Sequence, residues 1–130
     1  KYSSYAVSRL QKILIVEDNP DNLITVRALL KDTAILIEAT DGKAGIDQAR
    51  ASLPDLILLD ISLPVMDGFE VLDDLKHDKT TQNIPIIALT ARAMKGDREE
   101  ILSRGFDGYL SKPVDEELLK QTIQRVLYER

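Results

Sequence analysis

Short apolar runs alternate along the chain with stretches of helical period. The runs cover residues 13–16, 35–37, 56–59, 86–89 and, more weakly, 108–110. They are continuous and rich in isoleucine, leucine and valine, which is typical of strands covered on both faces. Between them apolar residues recur every three or four positions, as at Leu23, Val26 and Leu30. The pattern predicts five strands that alternate with five helices.

Alternation of this kind, with short connections, indicates parallel strands joined by right-handed crossovers. We therefore predict an α/β fold: a flavodoxin-like (βα)5 doubly wound parallel sheet with strand order 2-1-3-4-5. Asn19 and Pro20 are typical of a helix cap followed by proline at the first helical position. Asp115, Glu116 and Glu117 place acids in the first turn of the last helix. Residues 67–68, Asp-Gly, predict a turn into the third helix.

Composition narrows the function classes. A length of 130 residues with 44% hydrophobic content suits one domain. We expect a linker or tail over residues 1–11 and the domain over residues 12–130, because the first segment shows no regular period. The absence of cysteine favours a cytoplasmic location. Apolar runs far below about 20 residues predict no membrane contact. A net charge of −5 argues against nucleic-acid binding.

Candidate chemistry lies where the predicted strands end, since ligands of open parallel sheets bind beyond the carboxyl ends of the strands. Glu17 and Asp18 follow the first run, Asp60 the third, Thr90 the fourth and Lys112 the fifth. Strands one and three are neighbours in the predicted order, so their three carboxylates should meet. Like charges about 4 Å apart repel by about 4 kcal/mol at an effective dielectric near 20. The cluster therefore predicts a divalent cation, and Mg²⁺ suits oxygen ligands.

A carboxylate beside Mg²⁺ can attack phosphorus and form an aspartyl phosphate. Asp60 is the candidate nucleophile, while Lys112 offers a positive charge and Thr90 a hydroxyl donor to the transferred group. Taken singly, Glu17 or Asp18 would be a solvated loop acid, Lys112 a surface lysine and Thr90 a helix cap. Their joint position at one edge of the sheet favours a functional site instead.

Four segments resemble motifs of the response-regulator receiver family of two-component signalling. They are residues 14–19 (LIVEDN), 58–68 (LLDISLPVMDG), 89–91 (LTA) and 109–113 (YLSKP). The resemblance runs from about Lys12 to Tyr128. It implies a magnesium site formed by Glu17, Asp18, Asp60 and the backbone carbonyl of Ser62. It also implies that Asp60 accepts phosphate from a phosphohistidine of a histidine kinase or a histidine phosphotransfer protein.

The resemblance further implies a conformational switch. Thr90 would move toward the new phosphate and Tyr109 would turn inward, which alters the face formed by the fourth helix, fifth strand and fifth helix. A dimer would form through that face. Tyr109 is also compatible with an ordinary half-buried tyrosine. By analogy the Lys112–Pro113 bond is expected to be cis, and Ser62 and Arg92 are expected to influence the lifetime of the phosphate.

Three other functions remain to be compared. A phosphatase of the haloacid-dehalogenase type needs an acid two residues after its nucleophile, where this chain has Ser62. A flavin-binding protein is disfavoured because the acidic turn at Glu17 and Asp18 would repel a flavin phosphate. An interaction module that never takes phosphate would be expected to lose one of Asp18, Asp60 or Lys112. The fold alone does not separate these functions.

We therefore expect an acceptor domain that assists its own phosphorylation and dephosphorylation and is not otherwise an enzyme. The start at Lys1 and the irregular first segment favour the terminal receiver of a hybrid sensor histidine kinase, although a stand-alone regulator also fits. His77 lies in a charged stretch and is expected at the surface, as neither phosphodonor nor metal ligand.

Overall fold

A computed structural model of the protein describes residues 10–91 and 95–128. Within these ranges, five strands alternate with five helices, as predicted. The strands are β1 (Gln11–Val16), β2 (Ala34–Ala39), β3 (Leu56–Asp60), β4 (Ile86–Thr90) and β5 (Gly108–Ser111). The helices are α1 (Pro20–Leu30), α2 (Gly42–Ser52), α3 (Gly68–Lys76), α4 (Lys95–Ser103) and α5 (Glu116–Tyr128).

The strands form one parallel sheet in the order β2-β1-β3-β4-β5, which confirms the predicted fold. Strands β3 and β4 are buried along their whole length because helices cover both faces of the sheet. Helices α1 and α5 pack on one face through Leu23, Val26 and Leu119. Helices α2, α3 and α4 cover the other face, where Ile46 and Ile101 lie in the core. Because all the strands are parallel, their carboxyl ends lie together at one open edge of the sheet.

Two predicted boundaries differ slightly from the structure. Strand β1 begins at Gln11, one residue before the expected start of the domain, because Gln11 pairs with Ala34 of β2. Residues 1–9 of the expected linker lie outside the described residues. Asp115 precedes α5 instead of lying in its first turn, and its side chain accepts a hydrogen bond from Leu118 N at 2.9 Å. An aspartate that caps a helix satisfies an amide that the helix cannot pair.

The helices next to the open edge begin at firm caps. The Asn19 side chain accepts hydrogen bonds from Asp21 N and Asn22 N, and Pro20 opens α1 as predicted. Asp67 caps α3 and forms a capping box with Glu70, in which each side chain bonds the other residue's backbone amide. The predicted turn at Asp67 and Gly68 is confirmed. Both helix starts are thereby fixed beside the strand ends.

Ion pairs connect α2 to α3 at the opposite edge of the sheet. Arg50 donates to Asp74 at 2.8 Å and to Asp78 at 2.7 Å. Two hydrogen bonds from Thr80, followed by the guanidinium of Arg50, lower the pKa of Asp78 to about 2. The Asp78 carboxylate is thus charged at neutral pH, and the two ion pairs hold the last turn of α2 against the end of α3.

No helix in the described part of the chain combines the length and the apolar character needed to cross a membrane.

Candidate functional site

The three predicted carboxylates meet at the open edge of the sheet. Val16 lies beside Leu59 in the β1–β3 register, so the residues that follow, Glu17 and Asp60, emerge next to each other. Glu17, Asp18 and Asp60 each place an oxygen within 4.8 Å of the others. Glu17 and Asp60 are only 0% and 2% exposed, whereas Asp18 faces solvent. The structure therefore confirms the clustering that the strand order predicts.

The ammonium group of Lys112 contacts two of these carboxylates, Glu17 and Asp60. Its Nζ is 2.8 Å from Glu17 Oε1 and 3.2 Å from Asp60 Oδ2. Its backbone N–H donates to Thr90 O at 2.8 Å, which extends the pairing of β4 with β5 by one step. The Lys112–Pro113 peptide bond is cis. A single ammonium thus balances two buried acids that lie on neighbouring strands.

The surroundings of Glu17 raise the pKa of its carboxyl. Burial raises the pKa of its carboxyl, the Lys112 ammonium and the Asn19 amide oppose that rise, and the charge of Asp60 adds to it. Although Lys112 is close, Glu17 Oε1 has no hydrogen bond of regular geometry within the described residues. A buried carboxylate oxygen that is paired only with the Lys112 ammonium, beside two further carboxylates, belongs to an oxygen ligand set of the kind that Mg²⁺ prefers. The residues present therefore fit a magnesium ion.

Two backbone amides orient the acids, and the motifs did not predict this role. Asn19 N donates to Glu17 Oε2 at 3.1 Å, and Ser62 N donates to Asp60 Oδ1 at 3.0 Å. Both bonds join residues two positions apart, and the bond to Asp60 has the spacing of an Asx turn. The second bond uses only the backbone of Ser62, so the signal in the sequence is the aspartate at the end of the strand, whose side chain can accept from the amide two residues on.

Thr90 and Tyr109 lie on the adjacent strands β4 and β5. Thr90 ends β4 with no exposed surface and is paired with Ser111. Tyr109 is half-buried in β5 and packs against the core face that α2, α3 and α4 cover. Arg92, expected to influence the lifetime of the phosphate, lies outside the described residues. The placement of Thr90 and Tyr109 is compatible with a switch, which stays a prediction.

Other polar residues stay apart from the site. His77 is exposed at the end of α3, where its Nδ1 lies 2.6 Å from Asp73 O, as expected for a surface residue. Glu38, near the end of β2, forms a two-contact ion pair with Arg27 at 2.6 and 2.8 Å. The second strand therefore contributes no acid to the cluster, in agreement with the sequence.

The segment between Asp60 and α3, residues 61–67, is called the acceptor loop below. Its first residue donates from Ile61 N to Leu89 O at 3.0 Å and accepts from Gly68 N at 2.9 Å, so the loop closes on itself. At its tip Met66 N donates to Pro64 O at 2.7 Å across Val65. Val65 has a φ of 67° and a fully exposed side chain. A β-branched residue is strained in this left-handed conformation.

Val65→Asn is expected to stabilise the protein by about 1 kcal/mol, because asparagine tolerates the left-handed region and the valine side chain buries nothing. Val65→Ile is the control, since it keeps the branched Cβ and should leave stability unchanged. Urea unfolding of the three proteins measures the difference. Equal stability of the Asn and Ile variants would show that the backbone at this position carries no strain.

Comparisons with known proteins agree with this geometry. A family model described as the response regulator receiver domain matches residues 13–124. The polar-differentiation response regulator DivK of Brucella ovis is 42% identical over 118 residues, which are 90% of this chain and 96% of that protein. The chemotaxis protein CheY4 of Vibrio cholerae is 31% identical with a TM-score of 0.84, over 92% of this chain and 100% of that one.

A further solved structure is the receiver domain of the sensor histidine kinase PA1611 from Pseudomonas aeruginosa. It is 37% identical with a TM-score of 0.83, over 92% of this chain and 98% of that one. In that structure a magnesium ion is coordinated in the active-site cleft. The likeness thus extends over nearly the whole described chain.

Proposed function

Because the chain belongs to the response regulator receiver domain family, we propose that Asp60 accepts a phosphoryl group from a phosphohistidine. The donor would be a partner histidine kinase or a histidine phosphotransfer protein. One observation carries the proposal: Asp60 is buried at the end of β3, 3.2 Å from the Lys112 ammonium and within 4.8 Å of two other acids. A structural domain gains nothing from burying two acids beside one lysine and placing a third acid next to them, since desolvation disfavours the charged forms of the buried pair.

In the proposed transfer, a carboxylate oxygen of Asp60 attacks phosphorus as the bond from phosphorus to the histidine nitrogen breaks. The electron pair of that bond stays on the departing imidazole. Ser62 N–H holds the other carboxylate oxygen and so aims the attacking one. Lys112 and the Thr90 hydroxyl stabilise the phosphoryl oxygens.

Glu17, Asp18, Asp60 and the Ser62 carbonyl would hold Mg²⁺, and the bound ion would neutralise charge on the phosphoryl oxygens. The buried, incompletely bonded Glu17 oxygen supports this assignment. So does the magnesium named in the active-site cleft of the Pseudomonas aeruginosa relative.

The output in this proposal is a change of surface. Thr90 follows the new phosphate, Tyr109 turns inward, and the face of α4, β5 and α5 changes and pairs with a second copy. Exposed Leu102 on α4 and Leu118 on α5 offer apolar contacts for that pairing. Ser62 and Arg92, whose equivalents in the family influence how long the phosphate survives, would do the same here.

The domain would occupy residues 12–130 and work in the cytoplasm. It would assist its own phosphorylation and dephosphorylation without being an enzyme for other substrates. Likeness to receiver domains of sensor histidine kinases supports a parent chain of that type.

Intact-mass spectrometry after incubation with acetyl phosphate and Mg²⁺ tests the proposal. We expect an adduct of one phosphoryl group that requires Mg²⁺ and is lost in Asp60→Ala. Asp47→Ala, an exposed acid on α2, is the matched control and should keep the adduct. If the wild type gains no phosphoryl group and also fails to bind beryllium fluoride, the chain is a phosphate-independent interaction module.

A further inference from the structure

The acceptor loop is in contact with α2 as well as with the strands. The closest approach is at Gly42, the first residue of α2, which is buried. A methyl group added there would lie 2.9 Å from Met66 O, 3.1 Å from Met66 Cβ and 3.0 Å from Val71 Cγ2. The first of these atoms is backbone, so a side chain cannot simply rotate away. Absence of a side chain at residue 42 is therefore what lets the loop tip rest on the helix.

Helix α2 has little freedom to retreat from such a methyl group. Its N-terminus is capped by Asp41, whose side chain accepts from Ala44 N at 2.7 Å. One turn on, Gly45 lies so close to Val16 of β1 that an added Cβ would be 2.9 Å from its methyl carbon. The last turn is held to α3 by the two ion pairs of Arg50. A methyl group added at residue 42 would therefore displace the loop and not the helix.

The loop cannot absorb that displacement at its closed end. Gly68, where α3 begins, already lies against the backbone, because a Cβ there would be 2.7 Å from both Asp60 O and Ile61 Cα. Leu63 is 4% exposed and fixed in the core. A shift of Met66 would therefore not pass back through Leu63. It would pass forward to Gly68, which lies against the backbone of Asp60 and Ile61 and donates to Ile61 O at 2.9 Å, next to Ser62. Ser62 N is the donor that orients the Asp60 carboxylate.

We propose that Gly42 is a positioning residue for phosphoryl acceptance, acting through the Met66 carbonyl and the acceptor loop on Ser62 and Asp60. This inference rests on the proposed function. Gly42 does not touch the transferred group. It determines how far the loop lies from the strand ends and thereby the orientation of the acceptor carboxylate.

The test compares Gly42→Ala with Gly108→Ala. Gly108 opens β5 at the other edge of the sheet, and a Cβ there would lie 3.2 Å from Thr122 Cγ2 and 3.3 Å from Ile87 Cγ1, both side-chain atoms. Both variants add one methyl group to the core, but only the first presses on the loop. Phosphorylation by acetyl phosphate is followed at saturating Mg²⁺, below the unfolding transition of each protein.

We expect Gly42→Ala to slow phosphorylation by about 10-fold or more, because small misplacements of reacting groups cost up to about 100-fold. Gly108→Ala should retain the wild-type rate. In metal-free protein, the NMR amide resonances of Ser62 and Asp60 should move in Gly42→Ala and stay in place in Gly108→Ala. Equal rates and unmoved resonances in the two variants would overturn the positioning role. A wild type that takes no phosphoryl group would overturn the proposed function instead, and the Ser62 resonance would still report on the loop.

Discussion

Lys112→Met is expected to lower the free energy of unfolding by about 3 kcal/mol in metal-free buffer at neutral pH. The ammonium lies 2.8 Å from Glu17 and 3.2 Å from Asp60, and the two carboxylates are almost fully buried. Removing one partner of a buried ion pair leaves an unpaired buried charge, which costs about 3–5 kcal/mol. Glu17 limits the loss, because burial already raises its pKa and it takes up a proton at lower cost. Methionine keeps the aliphatic stem, so the loss reports on the charge.

Lys120→Met is the matched control. Lys120 pairs with Glu116 at 3.0 Å on α5, but both side chains are about half exposed, at 44% and 59%. Exposed pairs of this kind contribute about 0.3–0.5 kcal/mol. Chemical unfolding in EDTA and then in millimolar Mg²⁺ measures both variants. Added Mg²⁺ should narrow the gap between Lys112→Met and the wild type, since an ion that binds only the folded acids stabilises by mass action. A loss no larger than that of Lys120→Met, unchanged by Mg²⁺, would contradict the buried pairing.

The sequence predicted the fold because its signals are local and a general rule connects them. Continuous apolar runs such as residues 56–59 predict buried strands, and alternation with helices leaves few arrangements of a parallel sheet. Once the order places β1 beside β3, the meeting of Glu17, Asp18 and Asp60 follows from where the two apolar runs stop. The close approach of polar residues that end neighbouring strands can thus be predicted before any distance is known.

Long-range contacts could not be predicted from the sequence in the same way. The burial of Glu17 beside an exposed Asp18 depends on where the chain leaves the covered sheet after β1. The cation–π contact of Arg104 over Phe69, at 4.3 Å, joins two segments far apart in sequence that no shared pattern marks. The left-handed backbone of Val65 is likewise imposed by the closure of the loop around it. These features depend on tertiary distances, which composition and period do not encode.

The close contact at Gly68 also could not be predicted from the sequence. Substitution of this glycine is the second change with a large expected effect. The Asp-Gly pair predicted a turn, but the structure adds a steric reason: a Cβ at Gly68 would be 2.7 Å from Asp60 O and from Ile61 Cα. Both atoms belong to the backbone that carries the acceptor. We therefore expect Gly68→Ala to cost about 3 kcal/mol of stability, at the upper end of the usual range for overpacking. The better helix propensity of alanine returns less than about 1 kcal/mol.

Gly105→Ala is the control that separates the cost of steric overlap from the cost of an unfavourable backbone conformation. Gly105 has a φ of 119°, but an added Cβ would meet only Leu72 Cδ2, at 3.8 Å. Its cost would come from the conformation alone, about 1–2 kcal/mol, and phosphorylation should continue at the wild-type rate because the contact lies away from Asp60. Gly68→Ala should lose both more stability and the phosphoryl adduct, since relief of the overlap must move Asp60. If urea unfolding ranks the two variants in the reverse order, or if Gly68→Ala is phosphorylated normally, then α3 yields to the methyl group and the acceptor is not fixed by the start of that helix.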